Sequence, residues 1–252
     1  MKCSEICALI EQEYGTEYAC DWDNVGLLAG RSTKEVKKIL LSLDATDEVV
    51  RMAAEGGYDM LITHHPMLFS AIKRVTDQDM NGRRLLELIR NDISYYAMHT
   101  NYDTRGMARL MELTECAVLE EVKDGEGIGR VGKLPHPMTL RECGEQVKVA
   151  YGIPNVRLFG DPDTQVSLVG ICPGAGKSTM PLALGFGCDV YITGDIDHHT
   201  GIDAVDQGMC IIDAGHYGVE HIFMEDVKAY LEKVLTGVHM DCVAVKHPFV
   251  VI

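Results

Sequence analysis

No two cysteines in this chain are spaced as a CxxC pair, no cluster of Lys and Arg stands out, and no apolar stretch approaches the length of a membrane span. Each absence removes a class of function. The nine cysteines are odd in number and scattered, which argues against a disulfide framework and a thiolate zinc site. They suit a reducing cytosol, where most serve as small core hydrophobes. The shortage of basic residues weighs against nucleic acid: 23 Lys and Arg against 38 Asp and Glu leave a formal charge of −15. Two bound divalent ions, adding four charges, would bring −15 only to −11. Such a field favours a small substrate focused onto a metal over a polyanion. The opening MKCSEICALIEQEYG has one Lys followed by acidic residues, and the expected location is cytoplasmic. The letters show neither an internal repeat nor a low-complexity tract.

What is present reads as a soluble globular protein, with 46% apolar and 24% charged residues over 252 positions. Ile6, Leu9, Ile10 and Glu13 recur at helical spacing and predict a short first helix ended by Gly15. After DWDNVGLLAG, strand-like and helical stretches alternate: KKILLSLDAT, TDEVVRMAAEGG, YDMLITHHP, a helix over 81–90, SYYAMHTN, and a helix from about Thr104 to Leu113. Alternation of this kind predicts an α/β fold with parallel strands. The texture changes between about Glu120 and Asp189, where GIGRVGKLPHPMTL is rich in Gly and Pro. The expected division is therefore one metal-binding α/β module from 1–120 and 190–252, and a second, smaller module at 121–189. The last stretch, HMDCVAVKHPFVVI, is strand-like and suits a sheet edge because Pro248 cannot donate to a ladder.

The chemistry gathers in three stretches. His64 and His65 follow the apolar run MLIT and precede Pro66, so at a strand end their rings can fan toward two adjacent metals, or simply cap the strand. In MHTNYD, His99, Asn101 and Asp103 fall at alternate positions and would share one face of a strand, with Asp103 bridging cations. Asp103 reads equally as a helix N-cap before Thr104. His216 and Glu220 stand four apart, on one face of a helical turn entered through Gly215, a spacing that exposed ion pairs also use. Imidazole and carboxylate without cysteine favour zinc, iron, manganese or nickel over copper(I).

Two further motifs compete for attention. GDIDHH places Asp195, Asp197, His198 and His199 at another strand end, where they read as supporting or substrate contacts and as the cap and first turn of a helix. CPGAGKS ends like a phosphate-binding loop, but five residues separate Gly170 from Gly176 where that motif needs four. A nucleotide-triphosphatase reading is rejected, although Gly174, Gly176 and Ser178 could still form an anion nest.

With DWDNVGLLAG, LITHHP, HTNYD, GDIDHH and DAGHYGVE in this order, the chain resembles the YbgI-like family of dinuclear metal-binding proteins, also called Nif-three-like proteins or GTP cyclohydrolase 1 type 2 homologues. The likeness runs from Trp22 to Glu220, and the length fits the compact form without the domain inserted in longer members. The resemblance implies two similar α/β modules with mixed or mostly parallel sheets flanked by helices, a metal site at strand C-terminal ends in the cleft, and a homohexamer. It also implies His64, His65, Asp103, His216 and Glu220 as ligands of two divalent ions, with Glu220 touching both. Lys177 inherits no role.

The expected function is a dinuclear metal-dependent hydrolase of a small molecule, a nucleotide or a phosphoester, with His99 as proton shuttle. Two metals about 3.5–4 Å apart would activate a water between them. Two other classes stay open: a metal-binding or interaction protein without turnover, and a fold in which the metals are structural, saturated by protein ligands.

Overall fold

The computed structural model describes residues 1–103, 108–244 and 249. The order along the chain is α1 (Cys3–Glu13), β1 (Gly26–Ala29), β2 (Lys38–Ser42), α2 (Asp47–Glu55), β3 (Met60–Thr63), α3 (Met80–Arg90), β4 (Ser94–Ala97) and α4 (Thr100–Asp103). Then come β5 (Thr114–Lys123), β6 (Glu126–Thr139), α5 (Leu140–Tyr151), β7 (Arg157–Phe159), β8 (Gln165–Ile171), α6 (Met180–Gly185) and β9 (Val190–Thr193). The chain continues through α7 (His198–Asp206), β10 (Cys210–Asp213), α8 (His216–Glu220), α9 (Ile222–Val234) and β11 (His239–Cys242).

These elements form two compact units, Met1–Tyr102 together with the segment from Phe223 onward, and Asp103–Ile222. Each is built on one mixed sheet flanked by helices. The first sheet runs β1-β4-β3-β2-β11 and the second β5-β6-β8-β9-β10-β7. The division departs from the expected one. Residues 190–222 belong with 121–189 because β9 pairs in parallel with β8, and β10 with β9. The stretch rich in Gly and Pro is no separate module: it is β6, a 14-residue strand paired with both β5 and β8. Pro135 and Pro137 lie where the β6–β8 register slips, between Lys133 and Met138, so the ladder loses no bond there that proline would have to donate.

The two sheets repeat one plan that the letters hid. In the first unit β2, β3 and β4 are parallel, aligned through Leu41, Ile62 and Tyr96, with β1 antiparallel on the outer side of β4. In the second, β8, β9 and β10 are parallel, aligned through Ile171, Ile192 and Ile212, with β7 antiparallel on the outer side of β10. Only a faint echo, GYDMLIT against GCDVYIT, survives in the sequence. Its aspartate has a structural task in both places. Asp59 Oδ2 accepts the backbone N–H groups of Lys37 and Lys38 at 2.8 and 3.1 Å, and Asp189 Oδ2 those of Ser167 and Leu168, both at 2.8 Å. Each carboxylate thereby ties the start of one parallel strand to the strand before it.

Helices cover both faces of the central strands, so these read as continuous apolar runs rather than alternating ones. In the second unit Val190, Ile192 and Ile212 point into a cluster with Leu140, Val147 and Tyr151, whereas Tyr191 and Ile211 enter the opposite cluster with Ala183 and Ala204. In the first unit Leu40, Leu61 and Tyr95 pack with Val49, Val50, Leu85 and Leu88 of α2 and α3. The helices start on side-chain caps, Thr46 to the Val49 N–H and Asp79 to the Gly82 N–H. The first helix and the edge position of β11 agree with the sequence reading, while Pro248 and residues 104–107 of the expected 104–113 helix lie outside the described residues.

Replacing Asp59 or Asp189 with Ala should cost about 1–3 kcal/mol, since each removes a charged acceptor shared by two backbone donors. A urea midpoint lowered to a similar extent by both changes would show that the repeated aspartate does the same work in each unit.

Candidate metal centre

Parallel strands deliver their functional groups at their C-terminal ends, and both units obey this. In the first, the chain leaves β3 through His64 and His65 and leaves β4 through Met98 and His99. Pairing continues past the strands, with the His64 N–H on Ser42 O at 3.2 Å, the His65 N–H on Leu43 O at 2.9 Å and the Met98 N–H on Thr63 O at 2.9 Å. The Thr63 hydroxyl and the Tyr95 hydroxyl both donate to His65 O, at 2.8 and 3.2 Å. The two histidines are thus set on rigid backbone rather than on a mobile loop.

His64, His65 and His99 each bring one ligating nitrogen to within 4.8 Å of the others, a group that can hold a metal ion. In each ring Nδ1 faces an oxygen acceptor: Met98 O at 3.1 Å for His64, Asp44 Oδ1 at 2.9 Å for His65, and Asp23 Oδ1 at 3.0 Å for His99. A neutral imidazole donating from Nδ1 carries its lone pair on Nε2, which is how proteins orient a histidine toward a metal. His64 is fully buried, packed against Tyr102 and Phe223. Asp23 also accepts the N–H and hydroxyl of Thr100, at 3.0 and 2.6 Å. Burial works against its charge, but the bonds from His99 and Thr100 prevail and hold its carboxyl down to about 2.

The expectation that His99, Asn101 and Asp103 share a strand face does not hold. β4 stops at Ala97 and residues 100–103 turn into the short helix α4. The Asn101 side chain causes the switch, with Oδ1 accepting the His99 N–H at 3.0 Å while Nδ2 donates to Tyr14 O at 2.9 Å. Asp103 is therefore a helical residue, buried, at the start of the second unit, and the residues it would cap as an N-cap, from Thr104, lie outside the described residues.

In the second unit the chain leaves β10 through Gly215, at φ +74°, and enters α8 with His216 and Glu220 on one face. His216 Nε2 stands 3.2 Å from Glu220 Oε2, and its Nδ1 stands 3.1 Å from Asp195 Oδ2. The carboxylate of Glu220 is buried. Asp195 thus supports His216, as Asp44 and Asp23 support their histidines. It does so from a left-handed backbone, φ 55°, which Asp tolerates better than most residues. Asp213 fixes both sides of this arrangement, accepting the N–H groups of Ile196 at 2.9 Å and Gly215 at 2.8 Å together with the Arg157 guanidinium. Asp197 caps α7 through the Thr200 N–H, and His198 and His199 occupy its exposed first turn.

The glycines of CPGAGKS have a packing role. A Cβ on Gly174 would stand 2.6 Å from Glu220 Oε1, and one on Gly176 would stand 2.4 Å from Thr193 Oγ1. The Gly176 N–H donates to that Thr193 hydroxyl at 2.9 Å, and Lys177 pairs with Asp197 at 2.6 Å. The sequence reading passed over Asp23, Asp44 and Asp213. Their signal was an acidic residue next to a strand, in DWDN, SLDAT and IIDAG, which many structural caps share.

Gly174→Ala should lower stability by about 1–2 kcal/mol through its left-handed φ alone. A crystal structure of the variant should also show the His216–Glu220 separation widened beyond 3.2 Å.

A "GTP cyclohydrolase 1 type 2 homolog" of Clostridium perfringens is 34% identical over 87% of this chain and 87% of its own length. Among solved structures, reduced HcgD from Methanocaldococcus jannaschii superposes with a TM-score of 0.83 at 30% identity, covering 96% of this chain and 97% of that one. A Staphylococcus aureus hypothetical protein, SA1388, gives a TM-score of 0.88 at 26% identity, covering 100% of this chain and 99% of that one. The model of one family, Duf34/NIF3 (NGG1p interacting factor 3), matches residues 1–248, and the chain belongs to that family.

Proposed function

We propose that this chain is a metal-dependent hydrolase in which His64, His65, Asp103, His216 and Glu220 act as one ligand set for two divalent ions. The observation that carries the reading is the uniform treatment of the imidazoles: His64, His65 and His216 each have Nδ1 against an oxygen, the arrangement by which proteins orient Nε2 toward a metal. Two buried carboxylates, Asp103 and Glu220, supply the anionic oxygen that hard divalent cations require. Bound divalent cations supply Lewis acidity, acidifying water and polarising an electrophilic carbon or phosphorus centre.

His99 is the proton relay in this scheme. Asp23, held charged, fixes its tautomer and stabilises the imidazolium once the ring has taken a proton at Nε2. His99 also lies within the His64–His65 group, so its geometry suits a third nitrogen ligand as well. The substrate in this reading is a small molecule such as a nucleotide, in keeping with the name of the curated relatives. Zinc, iron, manganese and nickel all suit the donors. A cytoplasmic homohexamer is the proposed setting. Among the described residues no helix is long and apolar enough to cross a membrane. The family description, an interacting factor, favours a second reading in which the metals serve binding without turnover.

Glu220→Gln should lose metal more severely than a change of any single histidine, because it removes a charge shared by both ions. Metal content per subunit after purification is the readout, and retention of two ions by the variant would remove Glu220 from the bridging role. His99→Ala should lower the hydrolytic rate by roughly a hundredfold or more with both metals kept. Loss of one ion from that variant would make His99 a ligand. Full activity of the demetallated wild type on a hydrolysed nucleotide or phosphoester would end the metal-dependent reading.

A further inference from the structure

Trp22 is 57% exposed and Phe69 is 50% exposed, and their rings stack with centroids 5.7 Å apart at 28°. Single exposed aromatics need no explanation, but this pair is built. The Asn24 side chain donates to Leu68 O, joining the two segments that carry the rings. Asp23, beside Trp22, is bonded to His99 and Thr100. The pair is thereby fixed relative to His99, whose ring stands edge-on to both at 5.9 and 6.0 Å, at 74° and 72°. His99 in turn lies 5.1 Å from the His64 ring and 5.7 Å from the His65 ring. All of these residues belong to the first unit.

We propose that Trp22 and Phe69 form a stacking platform for a planar heteroaromatic ring of the substrate, and so help determine which small molecules reach His64, His65 and His99. Aromatic faces favour other π-systems over aliphatic rings, and they accept any nucleobase because every base has a π-face. The net charge of −15 suits a neutral ring as the group that docks first. This inference rests on the hydrolase reading only in calling the ring part of a substrate. The platform itself can be tested without turnover.

Trp22 is the chain's only tryptophan, so its fluorescence reports on the platform directly. The full-length, metal-loaded protein is titrated with guanosine and, as a ringless control, with ribose. Saturable quenching by guanosine but not by ribose is expected. Phe69→Ala should weaken the apparent Kd about tenfold or more, with metal content unchanged, since losing a stacking partner typically has that effect. Phe69→Leu, which keeps apolar bulk without a π-face, should weaken it in the same direction and guards against misfolding of the alanine variant. An absence of saturable quenching, equal quenching by ribose, or unchanged affinity in both variants would overturn the platform. So would a Trp22 emission shift that follows protein concentration alone, because a second copy of the chain would then be covering the rings. Hydrolysis without guanosine quenching would sink the platform and keep the hydrolase. Quenching that persists in chelator-treated protein, with no hydrolysis by the loaded enzyme, would do the reverse.

Discussion

A histidine can present either nitrogen, and what decides between them is the partner of the other one. In both units the partner is an oxygen at Nδ1: in the first a backbone carbonyl for His64 and the carboxylates of Asp44 and Asp23 for His65 and His99, in the second the carboxylate of Asp195 for His216. The other features follow from keeping those oxygens in place. Thr63 and Tyr95 hold the His65 carbonyl, Thr100 holds Asp23, and Asp213 holds the turns on either side of Asp195 and His216. A carboxylate behind an imidazole also makes it a better base, so the same contacts that select the tautomer raise its strength as a ligand.

Much of this was legible in the letters, and the failures have physical causes. LITHHP reads correctly as a buried strand followed by two histidines because three consecutive apolar residues and Thr63 before the histidines and Pro66 leave little else to form. The spacing of His216 and Glu220 reads correctly because a glycine with positive φ can launch a helix directly after a strand. MHTNYD misleads because alternation is a property of extended backbone. A single asparagine, bonding the His99 N–H, ends the extension before Asp103 is reached. The boundary at 190 misleads because composition marks local texture, whereas unit membership is set by which strands pair, and the β8–β9 ladder joins residues about twenty apart.

The two sheets also explain where the imidazoles are and where they are not. β3 and β9 hold equivalent places and both end in Thr, yet the first is followed by His64 and the second by Gly194. No larger residue fits at Gly194, because a Cβ there would stand 2.3 Å from the His216 nitrogen. Directly after this strand the first unit therefore carries an imidazole and the second a glycine. The strand plan has been kept while the chemistry at its ends has diverged.

A chain that contains one strand order twice runs a risk that a single copy does not. While it folds, β3 could seek the neighbours of β9, since both are short, parallel, apolar and aligned the same way. The long β5–β6 hairpin, which only the second sheet possesses, makes the two nuclei unlike. It needs only a two-residue turn between its strands, so it can assemble from local contacts before the more distant parallel partners meet. This hairpin, at the end of the second sheet's order away from β10, thus gives each half its own local contacts by which its strands are told apart.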